Sequence, residues 1–354
     1  MHTHPWTLYA AVAGVSLALG LALTPLCARL ALRLGVVDKP DGARKIHQRS
    51  VPYLGGLPFY ASLLAAMALT RLMAPGIADS PLFWPLAVLG GAVLVLGLLD
   101  DIFDLPSAAK LAVELALGLA FFFWGMRGLP GAQPFAGMVP AHWIGPVVAA
   151  VWIAGVMNAV NFSDGLDGLA GGLVFICAAT LFATGLKNFD PLVCMLMACL
   201  MGAAAAFLCF NFHPASVFMG DAGALLLGFV LAAASLAGQQ KGAAVIALIV
   251  PMAAMAVPVV DTGLSFLRRL RRARGGGFFK PDREHLHHRL LALGLGHRGA
   301  VLALYYLSVC MALVAFVMDI VPPAHRLILL LAEGLIIVFG LAALRFMEER
   351  LRGK

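Results

Sequence analysis

The chain has 354 residues, of which 62% are hydrophobic and 12% charged, and its mean hydropathy is +0.93. An ordinary soluble domain, about a quarter charged, is excluded. The formal net charge of +7 suits anionic lipid and anionic substrates. No basic patch interleaved with aromatics is present, so nucleic acid is not an expected partner. The six cysteines (Cys27, Cys177, Cys194, Cys199, Cys209, Cys310) lie in apolar runs without CxxC spacing, which argues against disulfides and zinc.

Apolar runs at 7–34, 53–73, 84–99, 108–125, 142–160, 170–186, 191–210, 222–239, 243–267, 299–320 and 326–346 predict about eleven transmembrane helices, with ten as the alternative count. The fold class is therefore all-α: a polytopic integral membrane protein, one domain over 1–354, with a long basic loop at 268–298. The first run is too long for a removable signal peptide. With the N-terminus outside, 20 of the 25 Lys and Arg residues fall on the cytoplasmic side, including the C-terminus. That side also receives Asp100, Asp101, Asp164, Asp167 and Asp221. Carboxylates at the edge of hydrocarbon need water or a counter-charge, and a cluster without interleaved Cys or His suits a hard cation such as Mg²⁺.

The first cytoplasmic segment, DKPDGARKIHQRSVPYLGG, offers Lys39, Arg44, Lys45, His47 and Arg49. It can serve as a positive-inside anchor or as a docking surface for phosphates. In LLDDIFDLPSAAKL, capping can account for Asp104 before the helix start at Pro106, but not for the adjacent Asp100–Asp101 pair. Mutual repulsion in that pair favours a bound cation or a general base, and Lys110 follows it. NAVNFSDGLDGLAGGL alternates Asn161, Asp164 and Asp167 with glycines, so backbone can approach a ligand closely. An Asx-Gly turn would need neither the second Asp-Gly nor the asparagine.

NFHPASVFMGDAGALLLGF sets Asn211 and Phe218 around a turn and Asp221 at a helix start, where it is either an N-cap or a ligand. Asn211 and Phe218 together can hydrogen-bond and stack a nucleobase. In the fifth segment, the Arg268–Arg274 run reads as a helix end touching anionic lipid. His285, His287 and His288, beside Arg283 and Arg289, can grip a diphosphate. Glu114 lies one turn after Lys110 and can neutralise it. Asp261 can pair with Arg268 or line the site, and Glu333 has no evident role.

Taken in order, DKPDGARKIHQ…GG, DDIFDL…K, NFSDGLDGLAGG, NFHPASVFMGDAG and PDREHLHHRL resemble the polyprenyl-phosphate N-acetylhexosamine-1-phosphate transferases over nearly the whole chain. The resemblance implies a bacterial inner-membrane enzyme. It would move a sugar phosphate from a UDP-sugar to a polyprenyl phosphate such as undecaprenyl phosphate, release UMP and require Mg²⁺, with Mn²⁺ as a substitute. Asp221 resembles the principal metal ligand, and Asp100 and Asp101 the paired aspartates near the metal and the attacking phosphate. Lys110 matches a phosphate-contacting lysine and Asp164 an acid of the catalytic centre. Gly165, Leu166 and Asp167 match the wall of the uracil pocket, with Asn211 and Phe218 around the uridine, and Asn161 is expected among the substrate-binding residues. The HLHH run resembles the N-acetylglucosamine-type branch and lacks the HHHFE form of the muramoyl-pentapeptide branch. Another UDP-N-acetylhexosamine, a 6-deoxy sugar among them, or UDP-muramoyl-pentapeptide remains an alternative donor, and an ion-coupled transporter a remote alternative. The resemblance allows a homodimer. Ala224, where many relatives carry a small hydroxyl residue, is a mild departure.

Overall fold

The computed structural model describes residues 5–38, 51–127, 144–237, 253, 255–273 and 285–352. Apolar backbone in a bilayer must satisfy its own hydrogen bonds, and the apolar runs do so as helices. They are α1 (Trp6–Leu34), α2 (Gly56–Met73), the short α3 (Pro75–Ala78), α4 (Phe83–Phe103) and α5 (Ser107–Phe121), whose last turn widens into a π-helical Phe122–Met126. Next come α6 (Ile144–Ser163), α7 (Leu169–Lys187), α8 (Pro191–Asn211) and α9 (Gly220–Ala237). The rest are α10 (Ala256–Ala273), the seven-residue α11 (Leu286–Ala292), α12 (His297–Ile320) and α13 (Pro323–Arg352).

Among the described residues, ten helices are long and apolar enough to cross a membrane, so the chain is an all-α, multi-pass membrane protein. Of the expected run 243–267, residues 243–252 and 254 lie outside the described residues, and α10 carries residues 256–267 on into the arginine run. An antiparallel pair of two-residue strands, β1 (Val37–Asp38) and β2 (Val51–Pro52), was not expected from the sequence; it ties the end of α1 to the entry of α2.

The centre of the bundle is α9, buried from Ala222 to Ala237 and packed against α2, α4, α6 and α8. Close approach relies on small residues, as is usual where lipid supplies no hydrophobic drive between helices. At Gly97 of α4 a Cβ would overlap the backbone of Ala222, so only glycine lets α4 reach the start of α9. A second apolar cluster, with Leu166, Leu169, Val257, Leu286, Leu304 and Leu344, joins the start of α7 to α10, α11, α12 and α13.

Two details differ from expectation. α4 continues through Asp100 and Asp101 to Phe103, so both aspartates sit in its last turn. Asp104 does not cap α5; it closes α4 in the left-handed region (φ 51°), its N–H donating to Asp100 O at 2.9 Å. Aspartate tolerates that conformation, and Pro106 starts the next helix without a side-chain cap. At the opposite end of the bundle, Arg71 pairs with Asp79 and Lys187 with Asp319, each at 3.1 Å.

Candidate active site

One end of the bundle gathers the end of α4, the start of α5, the end of α6 and the start of α9 around Lys110. Its ammonium donates to Asp100 Oδ2 at 2.7 Å and to Asp221 Oδ2. With its amide oxygen turned to the ammonium, Asn161 accepts from Lys110 Nζ at 2.9 Å and donates to Asp221 Oδ1 at 3.1 Å. Asp100 Oδ1 also accepts from Leu105 N at 2.8 Å, which fixes the carboxylate against the turn after α4. Side chains from 10 to 121 residues apart in sequence thus share one hydrogen-bonded knot. All the donor atoms are oxygens, apart from the ammonium that already sits between two carboxylates. That set fits a hard divalent cation and gives a soft metal nothing to prefer.

Asp101 points elsewhere than its neighbour. Its Oδ1 accepts from Asp221 N at 2.8 Å and its Oδ2 from Ala222 N at 3.1 Å. A side chain of α4 therefore caps α9, and the negative end meets the positive end of that helix dipole. The approach depends on Gly220 (φ 68°), where a Cβ would lie 2.6 Å from Asp101 Oδ2. Asp221 is accordingly not the cap of its own helix, and its carboxylate is turned to Lys110.

The α6–α7 loop supplies Asp164, Gly165, Leu166 and Asp167. Burial raises the Asp164 carboxyl well above the usual range, and the carboxylates of Asp221, Asp101 and Asp167 raise it further. Leu166 is buried, whereas Gly165 is exposed. Asp167 Oδ2 accepts from Ala215 N at 3.1 Å and meets His213 Nδ1 at 2.7 Å; the His213 ring stacks on His297 with centroids 4.2 Å apart. Asp167, His213 and His297 bring one ligand-capable atom each within 4.8 Å of one another. Asn211, 1% exposed, uses both ends of its amide inside the protein: Oδ1 accepts from Gly168 N and Nδ2 donates to Val217 O, both at 2.8 Å. It clasps the loop to the α8–α9 turn. Phe218 N donates to Pro52 O at 3.0 Å, and its ring lies 6.4 Å from that of Tyr53. Burial, then Asp101, Asp221 and Asp164, push the Tyr53 phenol up to about 12.

Of the HLHH histidines, His285 and His287 are buried and His288 is exposed. His285 Nδ1 meets Asp261 Oδ2 at 3.0 Å, so Asp261 pairs there, not with Arg268. His287 is wedged under Gly165, where any Cβ would strike its Nε2; that nitrogen is buried without a hydrogen-bond partner. Burial, then the neighbouring His288, push His287 down to about 3, so it is neutral at physiological pH. Glu114 is fully buried and accepts from Asn158 Nδ2, one turn beyond Lys110.

Lys39, Arg44, His47 and Arg283 lie outside the described residues. His213, His297, Tyr53 and Asn158 were not singled out from the sequence. The histidine inside NFHPA was the one available signal, since it stands two residues from Asn211 in a turn already marked as functional.

The profile of glycosyl transferase family 4 matches residues 83–239, which hold Asp100, Asp101, Lys110, the α6–α7 loop and Asp221. The chain is 33% identical over 305 residues to a Bacillus subtilis (strain 168) protein named "Probable undecaprenyl-phosphate N-acetylglucosaminyl 1-phosphate transferase", covering 86% of this chain and 83% of that one. It is 34% identical to the decaprenyl-phosphate N-acetylglucosaminephosphotransferase of Mycolicibacterium smegmatis, covering 78% and 73%. It is 30% identical to the undecaprenyl-phosphate alpha-N-acetylglucosaminyl 1-phosphate transferase of Escherichia coli (strain K12), covering 77% and 73%. With the membrane helices, these similarities show the family: the chain belongs to the polyprenyl-phosphate N-acetylhexosamine-1-phosphate transferases of glycosyl transferase family 4.

Proposed function

We propose that the protein transfers N-acetylglucosamine 1-phosphate from UDP-N-acetylglucosamine to undecaprenyl phosphate, giving a lipid-linked sugar diphosphate and UMP. The reaction would open the synthesis of a cell-surface polysaccharide at the cytoplasmic face of a bacterial inner membrane. The observation that carries this reading is the Lys110–Asp100–Asp221–Asn161 knot at the interfacial end of the bundle. The acceptor is confined to the bilayer and the nucleotide sugar to water, so their phosphates can meet only at such a place.

Two anionic substrates repel until positive charge is held between them. Asp221 and Asp100 are the residues that would hold Mg²⁺, with Asn161 beside them. Bound there, the ion would neutralise the donor diphosphate and the departing UMP. Lys110, already set between the two carboxylates, is the protein's own cation for a substrate phosphate. An oxygen of the lipid phosphate attacks the phosphorus that bears the sugar, and the bond from that phosphorus to the bridging oxygen of UMP breaks. A phosphate monoester is largely ionised at neutral pH, so alignment and charge neutralisation matter more than proton removal. Asp100, held by Lys110 and Leu105 N–H, therefore works chiefly as an anchor. Direct attack needs no covalent aspartyl intermediate.

Asp164, Gly165, Leu166, Asp167, Asn211 and Phe218 form the nucleotide side. The clasp made by Asn211 holds that loop for the base, and Tyr53 and Phe218 offer adjacent aromatic surfaces. The test uses purified protein, UDP-sugars labelled in the sugar, polyprenyl phosphate and Mg²⁺. Labelled lipid with equimolar UMP is expected from UDP-N-acetylglucosamine, lost on chelation and in Asp221→Asn. No lipid product from any UDP-sugar would overturn the transferase reading, and product from a different sugar alone would overturn the donor.

A further inference from the structure

A buried aspartate of α10 holds the histidine-bearing α11 in place. Asp261 is 5% exposed, and both of its oxygens are used: Oδ1 accepts from Leu286 N at 2.9 Å and Oδ2 meets His285 Nδ1 at 3.0 Å. An α11 of seven residues is far too short to be stable alone, so its position is set by what it touches. Those contacts include Asp261 at its start, His287 under Gly165, the two-pronged Arg289–Glu348 pair at 2.7 and 3.0 Å, and Leu286 in the second apolar cluster. Of these, Asp261 alone also bonds an imidazole.

The bond has a chemical consequence for His285. A carboxylate at Nδ1 requires the proton to reside there, which makes Nε2 the lone-pair nitrogen of the neutral ring. The ring has little freedom otherwise: it lies parallel to His287 (5.7 Å, 5°) and 5.4 Å from Phe162, the residue after Asn161. His287 in turn bears on Gly165, so the Asp261 contact is transmitted to the α6–α7 loop through two stacked rings.

We propose that Asp261 is a positioning residue for the transfer reaction: it fixes the tautomer and orientation of His285 and seats α11 against the α6–α7 loop. The proposal rests on the reading that the histidine segment serves the reacting phosphates. Asp261→Asn keeps the shape and one acceptor for Leu286 N–H but loses the charged partner of His285. Removing a carboxylate that orients a metal-ligating histidine typically costs about 10–100-fold, and a loss of that order is expected for an imidazole held here by the same kind of bond.

The experiment compares Asp261→Asn, Asp261→Glu, His285→Ala and the double variant Asp261→Asn/His285→Ala in the full-length protein, with radiolabelled UDP-N-acetylglucosamine and polyprenyl phosphate. In Asp261→Asn, kcat is expected to fall about 10–100-fold, with KM for the nucleotide sugar within about twofold and an unchanged elution profile in detergent. Asp261→Glu is expected to recover part of the loss. The double variant is expected to be no slower than His285→Ala, because both changes interrupt the same chain of contacts. Additive losses, or a loss confined to KM or to folded yield, would overturn the positioning role. Wild-type kcat in Asp261→Asn, with His285→Ala impaired, would overturn it while leaving the histidine reading intact. Wild-type kcat in His285→Ala would instead defeat the histidine reading and this proposal with it.

Discussion

Asp101→Asn separates two jobs that adjacent aspartates could share. In the structure the Asp101 carboxylate is committed to the backbone N–H groups of Asp221 and Ala222, at 2.8 and 3.1 Å. Asparagine preserves one acceptor oxygen and turns an NH₂ toward the other N–H, so one charge-assisted bond is lost and one buried donor is orphaned. That should destabilise the protein by about 1.5–3 kcal/mol, a fall of about 2–4 °C in the unfolding midpoint of a chain this long. The assay is thermal unfolding in detergent alongside a Mg²⁺ titration of activity. Asp101→Asn should melt lower than the parent yet reach half-maximal activity within about threefold of the parent's Mg²⁺ concentration. Asp221→Asn should be inactive at every Mg²⁺ concentration. An Asp101→Asn protein that melts like the parent but needs more than tenfold extra Mg²⁺ would refute the capping argument and make Asp101 a metal ligand.

Two further outcomes are expected. Gly165→Ala drives a methyl into His287 Nε2 and should cost most of the activity, whereas adding His287→Ala opens the space and should return part of it. A double variant no better than Gly165→Ala would show that the glycine matters for a reason other than that contact. Asp164, with its acidity weakened by burial and by three carboxylates, favours the protonated form when folded. Its contribution to stability is therefore present at acid pH and lost as pH rises through the raised value. In Mg²⁺-free buffer, Asp164→Asn should match the parent's unfolding midpoint at low pH and exceed it at neutral pH; a parent that gains on the variant with rising pH would contradict this.

The helices were readable because apolar length dictates them, and the positions of the aspartates were readable because charge at the edge of hydrocarbon is costly. What each carboxylate touches was not readable. Asp100 and Asp101 are adjacent in sequence, and only the helical turn sends one to Lys110 and the other to the start of α9. Asp261 could reach Arg268 along its own helix, but its partner His285 lies 24 residues on, beyond that helix. Asn211 reads as a base-binding amide, yet both of its ends are used to clasp two turns together. His213 and His297 come from segments 84 residues apart, and no local pattern announces that their rings will stack. Such pairings follow from how the bundle is assembled, which helical periodicity does not encode.

Lys110 gives the acidic end of the bundle a permanent counter-ion. A pocket lined only with carboxylates would swell or protonate whenever its divalent ion departed with product. Here a tethered ammonium bridges Asp100 and Asp221, so the walls are drawn together by a charge that cannot diffuse away.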